Sequence, residues 1–241
     1  MKSVTLYVWC AILVCATTGT ATAQDRRYVR ISGNVGFQEG SGQLAIDRPL
    51  TFFGKSGFFR IDDELATSLI FDGSATVRVW KDLGLGAGLA QTRTERLGHP
   101  YTASVPSPVP GFLNLEVDGL VNLAHGEQTV YALASWTTAI SNRFDVVVSG
   151  GPAFIEVDQD LPVATPVLAP NGIQTLIVST TRVSESTTGF HATLDFDYVF
   201  GQRAGLGALV RYTRGSIDLP DGTQSMTVGG LQILAGLRVK L

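Results

Sequence analysis

The sequence has only two cysteines, Cys10 and Cys15, and both lie within the first 23 residues. If that segment is removed, the remaining chain has no thiol, which excludes a disulfide scaffold and a thiol enzyme. A lipoprotein signal usually has a small residue before its cysteine, whereas Trp9 and Val14 precede these two. We therefore expect no lipid anchor on cysteine.

The first 23 residues have the three parts of a secretory signal peptide. Lys2 gives a basic start, an apolar run extends from Val4 to Ala16, and Ala21-Thr22-Ala23 forms a cleavage pattern. The apolar run is shorter than the roughly 20 residues of a membrane-spanning helix. We therefore predict a signal peptide at residues 1–23 and a single domain at residues 24–241.

Charged residues are scarce, and long apolar runs are missing after residue 23. Asp, Glu, Lys and Arg make up 16% of the chain, whereas soluble domains have about 25%. The formal net charge is −3 and no basic face is evident, which argues against nucleic acid as a partner. An apolar chain without a candidate transmembrane helix points to strands, because only helices and closed barrels satisfy every backbone group in lipid.

Apolar and polar residues alternate with a period of two along most of the chain, which indicates two-faced strands. The clearest case runs from Phe190 to Phe200. We place strands at residues 28–38, 65–80, 83–96, 128–140, 143–157, 188–200, 203–216 and 231–241. These segments predict an all-β fold, an eight-stranded antiparallel up-and-down transmembrane β-barrel.

The connections between these strands alternate between short and long. The short ones are Lys81-Asp82, Ser141-Asn142 and Gly201-Gln202, and the long ones are residues 39–64, 97–127, 158–187 and 217–226. Short periplasmic turns and long extracellular loops are typical of outer-membrane barrels. Nine of the ten prolines fall in the long connections, where we predict loops and, from Leu113 to Leu123, a short hairpin. The tenth, Pro152, predicts a bulge.

The polar face of the strands is rich in small residues, as in Gly84, Gly86, Gly88 and Ala90. Small residues suit the narrow interior of an eight-stranded barrel and leave room for a few large polar side chains. By parity, four cations and four anions point into the lumen: Arg30, Arg78, Arg211, Arg238, Asp72, Asp145, Asp195 and Asp197. We interpret this balanced set as a structural salt-bridge network that plugs the lumen. Trp80 also has inward parity, and the register around Trp136 is left open.

The chain resembles the small outer-membrane β-barrel family of OmpA, OmpX and OmpW. The resemblance rests on the leader, the alternating segments, the strand from Gly189-Phe190-His191-Ala192 through Tyr198, and the closing strand from Gly229 to Leu241. Members usually end in phenylalanine, where this chain has Leu241. The resemblance implies a cell outer-membrane location, periplasmic termini, contact with outer-membrane lipids and lipopolysaccharide, and assembly by the barrel-insertion machinery. It implies no single activity.

No residue pattern predicts an enzyme, a cofactor or a metal site. His99, His125 and His191 share no ligand spacing, and the glycines near residues 33–42 and 84–88 open no helix that could bind phosphate. A catalytic triad of Ser186, His191 and Glu185 is a weaker interpretation than a structural role for His191, because the expected serine-asparagine after the histidine is absent. The Asp62-Asp63-Glu64 run is interpreted as a solvated loop rather than a cation site.

Three functions remain open at this stage. The first is a non-enzymatic monomeric barrel with a plugged lumen and a structural or surface-interaction role. The second is a narrow porin-like channel for small or apolar solutes, suggested by the inward glycines. The third is a soluble lipocalin-like carrier with the same strands and inverted faces.

Overall fold

The computed structural model describes residues 29–39, 43–64, 67–107, 109, 113–168, 174–200, 203–218 and 225–241. The predicted signal peptide lies outside these ranges. The described residues form ten strands: β1 (Val29–Gln38), β2 (Gln43–Phe52), β3 (Lys55–Glu64), β4 (Ser68–Trp80), β5 (Leu83–Val105), β6 (Leu115–Ser141), β7 (Phe144–Leu168), β8 (Gln174–Val199), β9 (Ala204–Asp218) and β10 (Ser225–Lys240). None of the described segments is a helix of the length and apolar character needed to cross a membrane.

Eight of the ten strands close into a ring. β1 pairs with β10 on one side and with β4 on the other, and the sheet continues from β4 through β5 to β10 in chain order. Every pairing is antiparallel, including the closure of β1 on β10. Ring neighbours follow one another in chain order, except at that closure and between β1 and β4, where the β2–β3 hairpin intervenes in the chain. The predicted eight-stranded up-and-down barrel is confirmed.

Successive residues of each barrel strand point alternately outward and into the lumen. On β9 the outward residues Leu206, Val210 and Tyr212 are exposed, whereas Leu209 and Arg211 are buried. The same division runs around the ring, so apolar side chains face outward and most of the polar ones face inward. This is the arrangement of a barrel surrounded by lipid, and a water-soluble carrier would have the opposite one.

The outward-facing apolar side chains of the ring form a band that we call the apolar belt, and outward-facing aromatic residues lie at its two ends. Phe37, Phe154 and Phe190 lie at the outer end, while Tyr198 and Phe200 lie near the short turns. Aromatic girdles of this kind sit at the two membrane–water interfaces.

The strands β5, β6, β7 and β8 continue well beyond this belt. They contain 23, 27, 25 and 26 residues, whereas a transmembrane strand needs about 9–11. The prediction of loops at residues 97–127 and 158–187 is therefore wrong, because most of these residues form strand extensions. Residues 115–123, within the predicted 113–123 hairpin, pair with the end of β5.

The β2–β3 hairpin also replaces a predicted loop, at residues 39–64. It joins the sheet through β3, whose residues Phe58–Ile61 pair with Tyr101–Ser104 of β5. We call β2, β3 and the extensions at residues 96–105, 115–123, 160–168 and 174–182 the extracellular module. Its buried apolar residues are Ile46, Leu50, Phe59, Ile61, Ala103, Val105, Val121, Leu123 and Leu161. Most of them form one cluster with inward residues of the barrel such as Ile70 and Ile155.

The prolines in the extensions occupy strand edges rather than loops. Pairing between β6 and β7 ends at His125 and Gln159, so residues 160–168 of β7 pair with β8 alone. Pro162 and Pro166 lie on this edge, where a missing N–H removes no ladder hydrogen bond. Proline is therefore compatible with strand here, which explains why it misled the loop prediction.

The structure differs from the sequence-based prediction in the position of a β-bulge. The bulge predicted at Pro152 is wrong, because β7 keeps one register with each neighbour on both sides of this residue. A bulge instead lies between Arg78 and Trp80 on β4. The extra residue turns Trp80 outward, and this side chain is exposed rather than in the lumen.

Candidate functional site: the barrel lumen

The lumen holds three layers of polar side chains. The layer nearest the periplasm, here called the inner layer, is built from two arginines and two aspartates. Arg30 contacts Asp195 at 2.5 Å and Asp197 at 2.7 Å. Arg238 contacts the same two carboxylates at 2.9 and 3.0 Å. All four residues are buried, so each charge is compensated by opposite charges from across the barrel.

The middle layer joins β4, β6 and β9 through Asp72, Tyr131 and Arg211. The Tyr131 hydroxyl donates to Asp72 at 2.6 Å, and Arg211 forms a salt bridge with Asp72 at 2.9 Å. The Arg211 guanidinium also lies 4.5 Å from the centre of the Tyr131 ring, which is cation–π geometry. Asn34 donates to Asp72 and accepts from Arg238, and so connects the middle and inner layers.

The outer polar layer crosses the barrel between β6 and the strands β1 and β10. The Glu127 carboxylate accepts hydrogen bonds from Gln38 Nε2 at 2.8 Å, from the Gly229 backbone N–H at 3.2 Å and from His125 Nε2 at 3.1 Å. Gln232 donates to Gln38 at 2.8 Å. Sequence reasoning missed this layer, because it relies on amides and on His125 and Glu127, which were assigned to the loop at residues 97–127.

The remaining two residues of the predicted lumen set lie at the periplasmic mouth. Asp145 accepts from Lys240 at 2.7 Å, with both side chains partly exposed. Arg78 donates to the Lys81 carbonyl and pairs with Asp82 at 3.1 Å, four residues along the same turn. The structure thus brings Arg30, Arg211, Arg238, Asp72, Asp195 and Asp197 into buried contacts and leaves Arg78 and Asp145 at the rim.

Inward glycines provide space for the large side chains of these layers. A Cβ at Gly88 would lie 2.3 Å from the Tyr131 ring, and one at Gly207 would lie 2.5 Å from the Arg238 guanidinium. A Cβ at Gly84 would similarly lie 2.6 Å from the Ser135 hydroxyl. The space next to these glycines is therefore filled by protein rather than open.

The structure does not assemble the Ser186–His191–Glu185 triad. His191 is buried in the lumen, where its Nε2 lies 3.0 Å from the Ala132 carbonyl and its ring packs beside Tyr131. Ser186 is exposed on the opposite face of the same strand, so its hydroxyl cannot reach the imidazole. Across the described ranges, no group of three or more His, Cys, Asp or Glu side chains is arranged to hold a metal ion.

The other sequence features considered as sites have ordinary structural surroundings. Asp62 is an exposed residue of β3, and the side chains of Asp63 and Glu64 lie outside the described part of the structure. Gly84 and its neighbours belong to β5, where no helix begins.

A closed ring of eight antiparallel strands, an apolar exterior and a polar lumen define an outer-membrane β-barrel. No protein-family model matches the sequence, and no curated protein has a significantly similar sequence. Solved outer-membrane barrels do match the fold. Neisserial surface protein A is 14% identical with a TM-score of 0.49, over 91% of this chain and 100% of that chain.

Two further solved structures show the same kind of similarity. Outer membrane protein OprG from Pseudomonas aeruginosa is 13% identical with a TM-score of 0.46, over 89% of this chain and 96% of that chain. The outer membrane protease OmpT from Escherichia coli is 11% identical with a TM-score of 0.38, over 93% of this chain and 100% of that chain. At identities and TM-scores this low, the similarity is one of strand arrangement and says nothing about the role of this protein.

Proposed function

We propose that this protein is a non-enzymatic outer-membrane barrel whose lumen is plugged by its own side chains, with a structural or surface-interaction role. The observation that supports this proposal best is the position of Arg238. Its side chain is 1% exposed, contacts both Asp195 and Asp197, and occupies the space over Gly207. A side chain held in this way blocks the lumen at the inner layer.

Opening a continuous pore would require these contacts to be broken in more than one layer. Removing one partner of a buried ion pair costs about 3–5 kcal/mol, because the remaining charge is left uncompensated. The Asp72–Arg211 pair presents a second obstacle of the same kind.

The extracellular module supports a surface role. Its β2–β3 hairpin and strand extensions have their own buried apolar residues and rise beyond the aromatic girdle. Such a module exposes its outer faces to the medium. The apolar belt beneath it would contact outer-membrane lipids, and the outer girdle would lie at the level of lipopolysaccharide.

Planar-bilayer recording from the purified, refolded protein tests the plugged lumen. We expect no steady conductance from the natural protein, and current steps from a variant that combines Arg238→Ser with Tyr131→Ala. Both positions belong to the layers that block the lumen, so the variant supplies a positive control for insertion. Steady ohmic current from the natural protein would contradict the plug and favour the narrow porin-like channel.

A further inference from the structure

His125 occupies the point where the barrel and the extracellular module separate. It is paired with Gln159, and this is the last residue pair between β6 and β7 on the outer side. Beyond it β6 continues with β5, while β7 continues with β8. Val130, the β6 residue paired with Phe154 of the outer girdle, lies five positions closer to the periplasm. His125 is therefore outside the membrane-spanning part of β6.

The two ring nitrogens of His125 both face hydrogen-bond acceptors. Nε2 lies 3.1 Å from Glu127 Oε1, and Nδ1 lies 2.7 Å from Gln159 Oε1. The Gln159 amide nitrogen donates to the Asp160 carbonyl at 2.9 Å, which fixes its oxygen toward the imidazole. A neutral imidazole has one N–H, whereas the imidazolium has two. Only the protonated ring satisfies both contacts.

Charged groups around His125 favour the protonated ring. Glu127 is the adjacent carboxylate on β6, and it also accepts from Gln38 of β1 and the Gly229 N–H of β10. On β7 the Asp160 carboxylate accepts from the Ala124 N–H and pairs with Arg182 of β8 at 3.0 Å.

Glu185 of β8 is half-buried with inward parity, and the inward side chains of β5 at this level, Thr92 and Thr94, carry no charge. Burial alone lowers the pKa of His125, but the hydrogen bond and charge of Glu127 and the hydrogen bond of Gln159 raise this pKa above its ordinary value.

We propose that His125 is a proton-operated clasp between the barrel and the β7–β8 part of the extracellular module. The imidazolium joins Glu127 of β6 to Gln159 of β7 at the end of their ladder. Loss of the proton removes one of the two hydrogen bonds and leaves the Glu127 carboxylate without this cation. The β7–β8 extension, which above this point pairs with no other barrel strand, then opens more often.

The sign of the pH dependence follows from the raised pKa. A group whose pKa is higher in the folded protein contributes stability that is complete below its ordinary pKa and disappears as the pH rises through the folded value. The clasp is therefore closed in acid and releases as the pH rises through this raised pKa. Opening affects residues 160–168 and 174–182 and leaves the barrel below the outer girdle intact.

Hydrogen–deuterium exchange of the full protein in nanodiscs tests the clasp. Exchange of the β7–β8 extension, corrected for the intrinsic pH dependence, is compared from about pH 5.5 to about pH 9, a range that spans the titration of histidine. We expect it to increase about tenfold or more across this range, as the loss of a charged hydrogen bond implies. His125→Gln should remove the step. His99→Gln, a matched control at another buried histidine, should retain it.

The protonation state itself is measured by 15N NMR of the imidazole ring. We expect both nitrogens of His125 to be protonated at about pH 6.5, the ordinary pKa of histidine, and Glu127→Gln to move the titration to lower pH. A ring that is neutral at about pH 6, half a unit below the ordinary pKa of histidine, would overturn the proposal. So would a pH-dependent exchange step that survives unchanged in His125→Gln.

Discussion

Gly88 of β5 and Tyr131 of β6 are ladder partners, and the phenol ring of Tyr131 lies across the glycine. A Cβ at residue 88 would lie 2.4 Å from the Tyr131 hydroxyl oxygen. Because this space is free, the tyrosine can reach over β5 and donate to Asp72 of β4 at 2.6 Å. The missing side chain at one position thus allows a contact between two strands that are not neighbours in the ring.

Filling this space should destabilise the barrel. We expect Gly88→Val to displace the Tyr131 ring and to weaken the Asp72 contact, at a cost of about 1–3 kcal/mol from overpacking alone. Urea unfolding in lipid vesicles, followed by tryptophan fluorescence, measures the free energy of unfolding. Gly33→Val is the matched control, since a Cβ at Gly33 would have nothing within 4 Å. Equal losses from the two variants would show that the glycine–tyrosine contact is unimportant.

The inner layer should be sensitive to the loss of one charge. We expect Arg238→Met to lower the free energy of unfolding by about 3–5 kcal/mol, because Asp195 and Asp197 would share the single cation Arg30. The same urea unfolding series provides the measurement.

An exposed ion pair supplies the control for this loss. Arg60→Met removes the partner of Asp47 at the surface of the extracellular module, where both side chains are more than half exposed. That substitution should cost no more than about 1 kcal/mol. If the two methionine variants were equally stable, the inner layer would not be the stabilising network described above.

Parity along the sequence was sufficient to predict the eight barrel strands, though not β2, β3 or the extensions, and the inward direction of several charges. Asp195 and Asp197 are two residues apart on one strand, so a single alternation places both on one face. Arg211 and Arg238 follow from the same argument on β9 and β10. Parity does not predict the height of a residue along the barrel axis. It is this height that separates Arg78 and Asp145, at the rim, from the buried charges.

The outer polar layer and the extracellular module could not be predicted from the sequence, because they depend on which strands meet in three dimensions. Gln38 and Glu127 meet across the lumen, although they are 89 residues apart in the chain. Pro162 and Pro166 looked like loop markers because the sequence does not tell which strands are edges. Trp80 was placed inside because one bulge residue reverses the parity of everything after it.

The proline-bearing edge of β7 gives a third prediction. Residues 160–168 have a partner strand on one side only, and two prolines interrupt the row of N–H donors on the other side. We expect replacement of Pro162 and Pro166 by threonine to promote edge-to-edge association of the extracellular module, because a strand edge with all its N–H donors pairs readily with another chain.

Light scattering of the detergent-solubilised protein follows this association over time. Pro152→Thr is the control, since Pro152 lies in the barrel wall below this free edge. A double threonine variant that remains as monodisperse as the natural protein would contradict the assignment of residues 160–168 as a protected edge.

The direction of the apolar face gives a fourth prediction, based on two leucines with different surroundings. Leu194 of β8 is 39% exposed on the belt and lies midway between Phe190 and Tyr198 of the two aromatic girdles. Leu120 of β6 is 71% exposed in the extracellular module. An arginine at the middle of the bilayer costs about 2–4 kcal/mol, whereas one in water costs almost nothing.

We therefore expect Leu194→Arg to reduce the folded fraction in vesicles strongly and Leu120→Arg to leave it unchanged. The heat-dependent shift in electrophoretic mobility of the unboiled protein measures that fraction for both variants. Because both substitutions replace an exposed leucine on a strand, a difference between them reports the surroundings rather than the residue type. Equal folding of the two variants would mean that water, and not lipid, surrounds the belt.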